Sequence, residues 1–149
     1  MKKKQVLLFG ILLGIGVIVF AVLKFPNQTK TQPQVQQSKN SVLYQSQIDE
    51  KGEVVIEAKP LKISTRENTL FNLKFTTHSI ELDYDIKALS TLSDDKANMY
   101  KPLSWTGGRG GHHIEGELIF PKISQDAKSV KLIISKINGQ NRIFEWKLE

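Results

Sequence analysis

The hydrophobic pattern along this chain changes character twice, and each change marks a boundary. From Val6 to Leu23 the side chains are apolar with no charge, and the run reaches Phe25 across Lys24. About 20 apolar residues cover the roughly 30 Å hydrocarbon core of a bilayer. A cleavable signal peptide has a shorter apolar region, about 7–15 residues, ending in a small-residue A-x-A-like site. Here the run ends Phe20-Ala21-Val22-Leu23-Lys24-Phe25-Pro26, which lacks such a site. Residues 1–25 are therefore expected to form one uncleaved transmembrane helix. Lys2, Lys3 and Lys4 precede the run. By the positive-inside rule they stay in the cytoplasm and the rest of the chain lies outside the cell membrane.

Residues 26–41 have no period. They are rich in Gln, Asn, Thr, Ser and Lys, with Pro26, Pro33 and a single aliphatic residue, Val35. Such a segment buries too little apolar surface to offset the entropy of ordering, so it reads as a flexible linker.

From Val42 the period becomes two, and residues 42–149 are expected to form one extracytoplasmic β domain. Glu53 to Lys59 is a short run rich in branched residues, and Thr69 to Thr77 puts Phe71, Leu73 and Phe75 on one face. Leu82, Tyr84, Ile86 and Ala88 continue the alternation, and a turn is centred on Asp94-Asp95-Lys96. Ile114, Gly116, Leu118 and Phe120 then share a face opposite His113, Glu115 and Glu117. Val130, Leu132 and Ile134 form another face, and Phe144, Trp146 and Leu148 alternate on the return. Between those two runs lies Asn138-Gly139, a strong hairpin signal because a type I′ turn needs positive φ at both central residues. About seven short strands at this spacing point to an all-β, antiparallel immunoglobulin-like sandwich, with a small closed barrel as the alternative. Trp105 and Trp146 are expected in the core.

Charge alters the picture less than its total suggests. The chain carries +6, but Lys2, Lys3, Lys4, Lys24, Lys30 and Lys39 account for the whole excess. The other 15 basic residues match the 15 acidic residues, all of which lie at or beyond Asp49. A neutral domain with no basic face argues against nucleic acid as a partner. Cysteine is absent, which excludes disulfides, thiolate metal sites and a cysteine nucleophile.

Candidate chemistry concentrates between Trp105 and Pro121, in W-T-G-G-R-G-G-H-H-I-E-G-E-L-I-F-P. Glycine at this density permits positive φ and close backbone approach at an entropic cost. Imidazole and carboxylate together suit Zn²⁺ or Cu²⁺. A metal site drawing on His112, His113 and His78, with Asp83 or Asp85, is the sharpest reading. Adjacent strand residues point to opposite faces, so His112 and His113 converge only in irregular backbone. The plainer reading has these groups bracing the loop. T-G-G-R-G-G lacks the following Lys-Ser/Thr of a phosphate loop. No spacing suggests a Ser-His-Asp nucleophile, and a non-enzymatic role is expected.

The runs T-H-S-I-E-L-D-Y-D-I (Thr77 to Ile86), Leu92 to Trp105, G-G-H-H-I-E-G-E-L-I-F-P (Gly110 to Pro121) and R-I-F-E-W-K-L (Arg142 to Leu148) resemble a family of small exported prokaryotic proteins. The resemblance spans roughly Leu70 to Leu148, and the G-G-H-H block is its most specific part. It implies a sandwich domain behind an N-terminal anchor and implies no particular activity. The expected function is a membrane-anchored binding or structural module with a His-based metal site, its partner a protein or metal ion at the cell surface. The alternative is an interaction or adhesion-type domain whose His-Gly loop is purely structural.

Overall fold

The computed structural model describes residues 44–148. The expected anchor, 1–25, and linker, 26–41, lie outside the described residues. Among the described residues no helix is long and apolar enough to cross a membrane.

The domain is all-β, built from two antiparallel sheets packed around one core. Strands β1 (Gln47–Asp49), β2 (Val54–Lys62), β3 (Thr69–Thr77), β6 (Ser104–Trp105) and β7 (His113–Phe120) form the first sheet, in the order β1-β2-β3-β7-β6. Strands β4 (Ser90–Asp94), β5 (Met99–Tyr100), β8 (Ser129–Ile137) and β9 (Gln140–Lys147) form the second, in the order β5-β4-β8-β9. A single helical turn, α1 (Ile86–Leu89), precedes β4.

Alternation dictates what each sheet buries. Phe71, Leu73 and Phe75 of β3 are fully buried, as are Val54, Ile56 and Ala58 of β2 and Leu118 and Phe120 of β7. The second sheet supplies Leu92, Val130, Leu132, Ile134, Phe144 and Trp146. Phe71 meets Trp146 across the interior at a ring separation of 5.2 Å, joining the two layers. Trp146 is thus a core residue, and its Nε1 donates to the Gln45 carbonyl at 2.9 Å.

One expectation needs correction. Leu82 to Ala88 is not a strand: residues 81–85 are coil and α1 follows. The reason is local, since the Asp85 carboxylate accepts from Ala88 N at 3.0 Å and caps a helical turn. Leu82 and Ile86 still face the core and Tyr84 is half-buried, but Ala88 is exposed, so the alternation holds in burial only as far as Ile86. The short β1 was not foreseen as a separate strand. It pairs Gln47 with Ala58 and Asp49 with Ile56, leaving Pro60 beyond its reach at a β-bulge near Lys62. Proline cannot donate to a ladder, so that position suits it.

β1 also stitches the sheets together along one side. The Gln47 side-chain amide donates to the Glu145 carbonyl at 2.6 Å and accepts from Glu145 N at 3.3 Å, standing in for a paired strand. Such a contact protects the β9 edge.

Candidate functional site

Strand directions gather four connections at one end of the domain: the 50–53 turn, residues 78–85, residues 106–112 and the 138–139 turn. The Thr69–Phe120 pairing sets the opposite end, where residues 63–68 and 121–128 lie with Tyr44 and Leu148.

The glycine-rich loop is a braced structure. Gly110 N donates to the Leu82 carbonyl at 3.0 Å and Leu82 N to the Gly111 carbonyl at 2.9 Å. Gly111 N donates to the Glu81 carboxylate, and the Arg109 guanidinium pairs with Asp83. Gly110 and Gly111 sit at φ of 90° and 79°, which explains glycine at both. Behind them the loop rests on Trp105, whose Nε1 donates to the Gly108 carbonyl at 3.2 Å. Trp105 is half-buried and meets Phe75 edge-to-face at 6.3 Å, so it serves the core and also supports the loop. Thr106 fixes the start: its N donates to the Glu117 carbonyl and its hydroxyl accepts from Glu117 N.

The five candidate metal ligands meet different fates. His113 opens β7 opposite Thr76, and His78 follows β3, so the two rings meet edge to face with centres 6.4 Å apart and planes at 81°. Both are exposed. His112 contributes its carbonyl, which accepts from Thr77 N at 3.0 Å. Asp83 is engaged by Arg109 and Asp85 by the α1 cap. Among the described residues no group of three or more His, Asp or Glu is arranged to hold a metal ion. Pairing of β3 with β7 thus yields one imidazole pair, His78 with His113, from two elements distant along the chain.

Arg142 was missed, although its signal was available: it lies in phase with Phe144 and Trp146 on the inward side of β9. It is fully buried, and its Nη1 pairs with Asp49. Burial pushes the Asp49 carboxyl up, but the Lys51 N–H and the Arg142 and Lys51 side chains outweigh it and hold it below the usual carboxylate range. Tyr84 ties this region to the loop end, its hydroxyl accepting from Asn138 N at 3.1 Å.

No protein-family model, curated protein or solved structure matches the chain.

Proposed function

We propose that the protein is a membrane-anchored, extracytoplasmic binding module of immunoglobulin-like design, whose recognition surface is the end carrying His78 and His113. The strand order supports the fold reading. β2-β3-β7-β6 against β5-β4-β8-β9 corresponds to the ABED and C′CFG sheets of immunoglobulin-like sandwiches, with β1 as an added edge strand. In that correspondence residues 78–89, 106–112 and 138–139 are the BC, DE and FG connections, which gather at one end. Loops on a rigid scaffold are where such domains make contacts.

The observation that carries the proposal is the mutual bonding of these connections. Leu82 bonds Gly110 and Gly111, Arg109 bonds Asp83, and Tyr84 bonds Asn138. A surface ordered in advance loses little further entropy on binding. β1 reverses the chain before β2 begins, so Tyr44 lies at the other end, beside Ile63 and Leu148. The spent polar groups favour recognition over chemistry, and no catalytic step is proposed.

The test is positional crosslinking in membranes of the producing cells. A photoreactive residue at position 112 should give a discrete adduct that Arg109→Ala abolishes, while one at 125, on the opposite end, should not. Equal adducts from both positions, or none from 112, would overturn the proposal.

The paired histidines favour one further reading, a divalent transition metal at His78 and His113. Two imidazoles on tetrahedral zinc, with Zn–N near 2.0–2.1 Å, have ring centres about 5 Å apart. The observed 6.4 Å is within a side-chain rotation of that value. Zn²⁺ or Cu²⁺ should then raise the melting temperature of the full-length chain by mass action. Protons compete for imidazole nitrogen, so the rise should shrink as pH falls. His78→Gln and His113→Gln should each remove it and His112→Gln should keep it. No rise, or one that survives His113→Gln, excludes the pair.

A further inference from the structure

Arg142 presents an arrangement that the fold alone does not need. The side chain is 0 % exposed, and its Nη1 is committed to Asp49. Its Nε and Nη2 make no hydrogen bond among the described residues. Those two atoms are the side-on edge of the guanidinium, the parallel N–H fork that takes both oxygens of a planar carboxylate. Leaving a buried charged donor unsatisfied is costly, and a hydrophobic residue in phase with Phe144 and Trp146 would avoid that cost.

The neighbours of this fork are donors too. Gly52 sits at φ +66°, in the turn between β1 and β2. The space beside its Cα is bounded by Gln140 Nε2 at 3.5 Å, Asn138 Nδ2 at 3.6 Å and Arg142 Nη2 at 4.0 Å from the ideal Cβ position. Three nitrogen atoms from three residues of β9 and its turn therefore converge under one glycine. Gly52, Asn138 and Gln140 are exposed, so this turn lies at the surface beside Arg142 Nη2. Such segments open locally at low free energy.

We infer that the Arg142 fork, with Gln140 and Asn138, is a binding site for a small carboxylate, beneath the β1–β2 turn. Charge selects carboxylate over phosphate. Arg142 is already matched by Asp49, Lys51 pairs with Asp49 at 3.1 Å, and Glu53 stands at the rim within 3.5 Å of Asn138 Nδ2. These four groups sum to zero, so a monoanion with two coplanar oxygens leaves one net negative charge and a dianion two, which weighs against phosphate. The N-terminal segment cannot supply the carboxylate, because no acidic residue precedes Asp49. The site shares Asn138 with the recognition end but uses neither His78 nor His113, so its acetate test is read separately from crosslinking at position 112 and from the metal response.

The probe is acetate, added to the full-length chain in detergent with ¹⁵N-labelled arginine. The chain has three arginines, Arg66, Arg109 and Arg142, so an Arg66→Lys/Arg109→Lys variant leaves one Nε–H signal to follow. Acetate should move that signal saturably, and chloride or phosphate at matched ionic strength and pH should not. The melting temperature of the parent should rise with acetate over the same range. Gln140→Leu, an exposed change that leaves the fork in place, should weaken the apparent affinity several-fold. A signal unmoved by acetate overturns the site; an equal response to chloride or phosphate overturns its assignment to carboxylate. Unchanged acetate affinity in Gln140→Leu overturns the donor cluster.

Discussion

Gly107 and Gly116 meet backbone to backbone: a Cβ on Gly116 would lie 2.2 Å from Gly107 N and 2.4 Å from its Cα. A Cβ on Gly107 would in turn lie 2.1 Å from the Trp105 ring. Gly116 is an inward position of β7, so the loop is laid over the sheet where the core would otherwise place a side chain. Gly116→Ala forces main chain, which cannot rotate aside as a side chain would. It should destabilise by roughly 1–3 kcal/mol, the usual cost of overpacking, and should change Trp105 fluorescence. Gly108→Ala is the control, because nothing lies within 4 Å of its Cβ position. It should stay within about 0.5 kcal/mol of the parent, as ordinary surface changes do. Equal melting temperatures for the two variants would remove the steric account of the loop.

The inward residues of β3, β7, β8 and β9 were legible from the sequence because a period of two fixes the buried face whatever the strand's partner. The glycine-rich loop was legible as a feature, but its purpose was not. Gly107 needs Trp105 and Gly116 as neighbours, and neither contact leaves a mark on spacing. Leu82 and Ile86 alternated correctly yet formed no ladder, since Asp85 capped a helical turn instead. Of the expected grouping of His112, His113 and His78 with Asp83 or Asp85, pairing of β3 with β7 brings His78 to His113. His112 engages Thr77 through its carbonyl, and the two carboxylates are held by Arg109 and the α1 cap. Cross-strand register decides such encounters, and a single sequence does not display register. Arg142 was overlooked because a charge in an apolar phase is easily passed over as noise.

The β8–β9 turn bears out the hairpin expected at Asn138-Gly139, with φ of 48° and 74° at those residues. Gly139→Val puts a β-branched residue at positive φ, so it should destabilise by on the order of 1 kcal/mol or more. Asn138 N also bonds the Tyr84 hydroxyl, so the variant should loosen residues 81–85. Hydrogen exchange at Leu82 and Gly110 reports that loosening, and unchanged protection there would uncouple the turn from the loop end.

Asp94 organises the other end of the second sheet. It accepts from Lys96 N at 2.9 Å, Asn98 N at 3.0 Å and the Tyr100 hydroxyl at 2.6 Å. Tyr100 accepts in turn from Ser124 N at 2.9 Å. Burial, with the Asp94 carboxylate beside it, raises the Tyr100 phenol above its ordinary value. Tyr100→Phe removes one acceptor and one donor in a half-buried network, so a loss of about 1–3 kcal/mol is expected in urea unfolding. A loss well under that range would show that water replaces both bonds freely.

The Asp49–Arg142 pair sets a pH dependence whose sign is fixed by the direction of the shift. Asp49 is held below the ordinary carboxylate value in the folded chain, despite burial, by Lys51 and Arg142. A depressed carboxyl stabilises the fold above the unfolded value, about 3.9, and that contribution is lost as pH falls through the folded value. Asp94 and Asp95 are also lowered, Asp95 to about 2 through its Lys128 N–H bond, so the parent's acid limb has several sources. The difference between parent and Asp49→Asn isolates one of them. At neutral pH the variant leaves Arg142 buried without its counter-charge and should be less stable by roughly 3–5 kcal/mol. As pH drops below about 4 the two proteins should converge, because the parent loses the same charge by protonation. Urea midpoints measured from neutral pH down to about pH 2 test this directly. Parallel curves, with a constant gap at every pH, would mean that Asp49 stabilises the chain by packing and hydrogen bonding alone, independently of its charge.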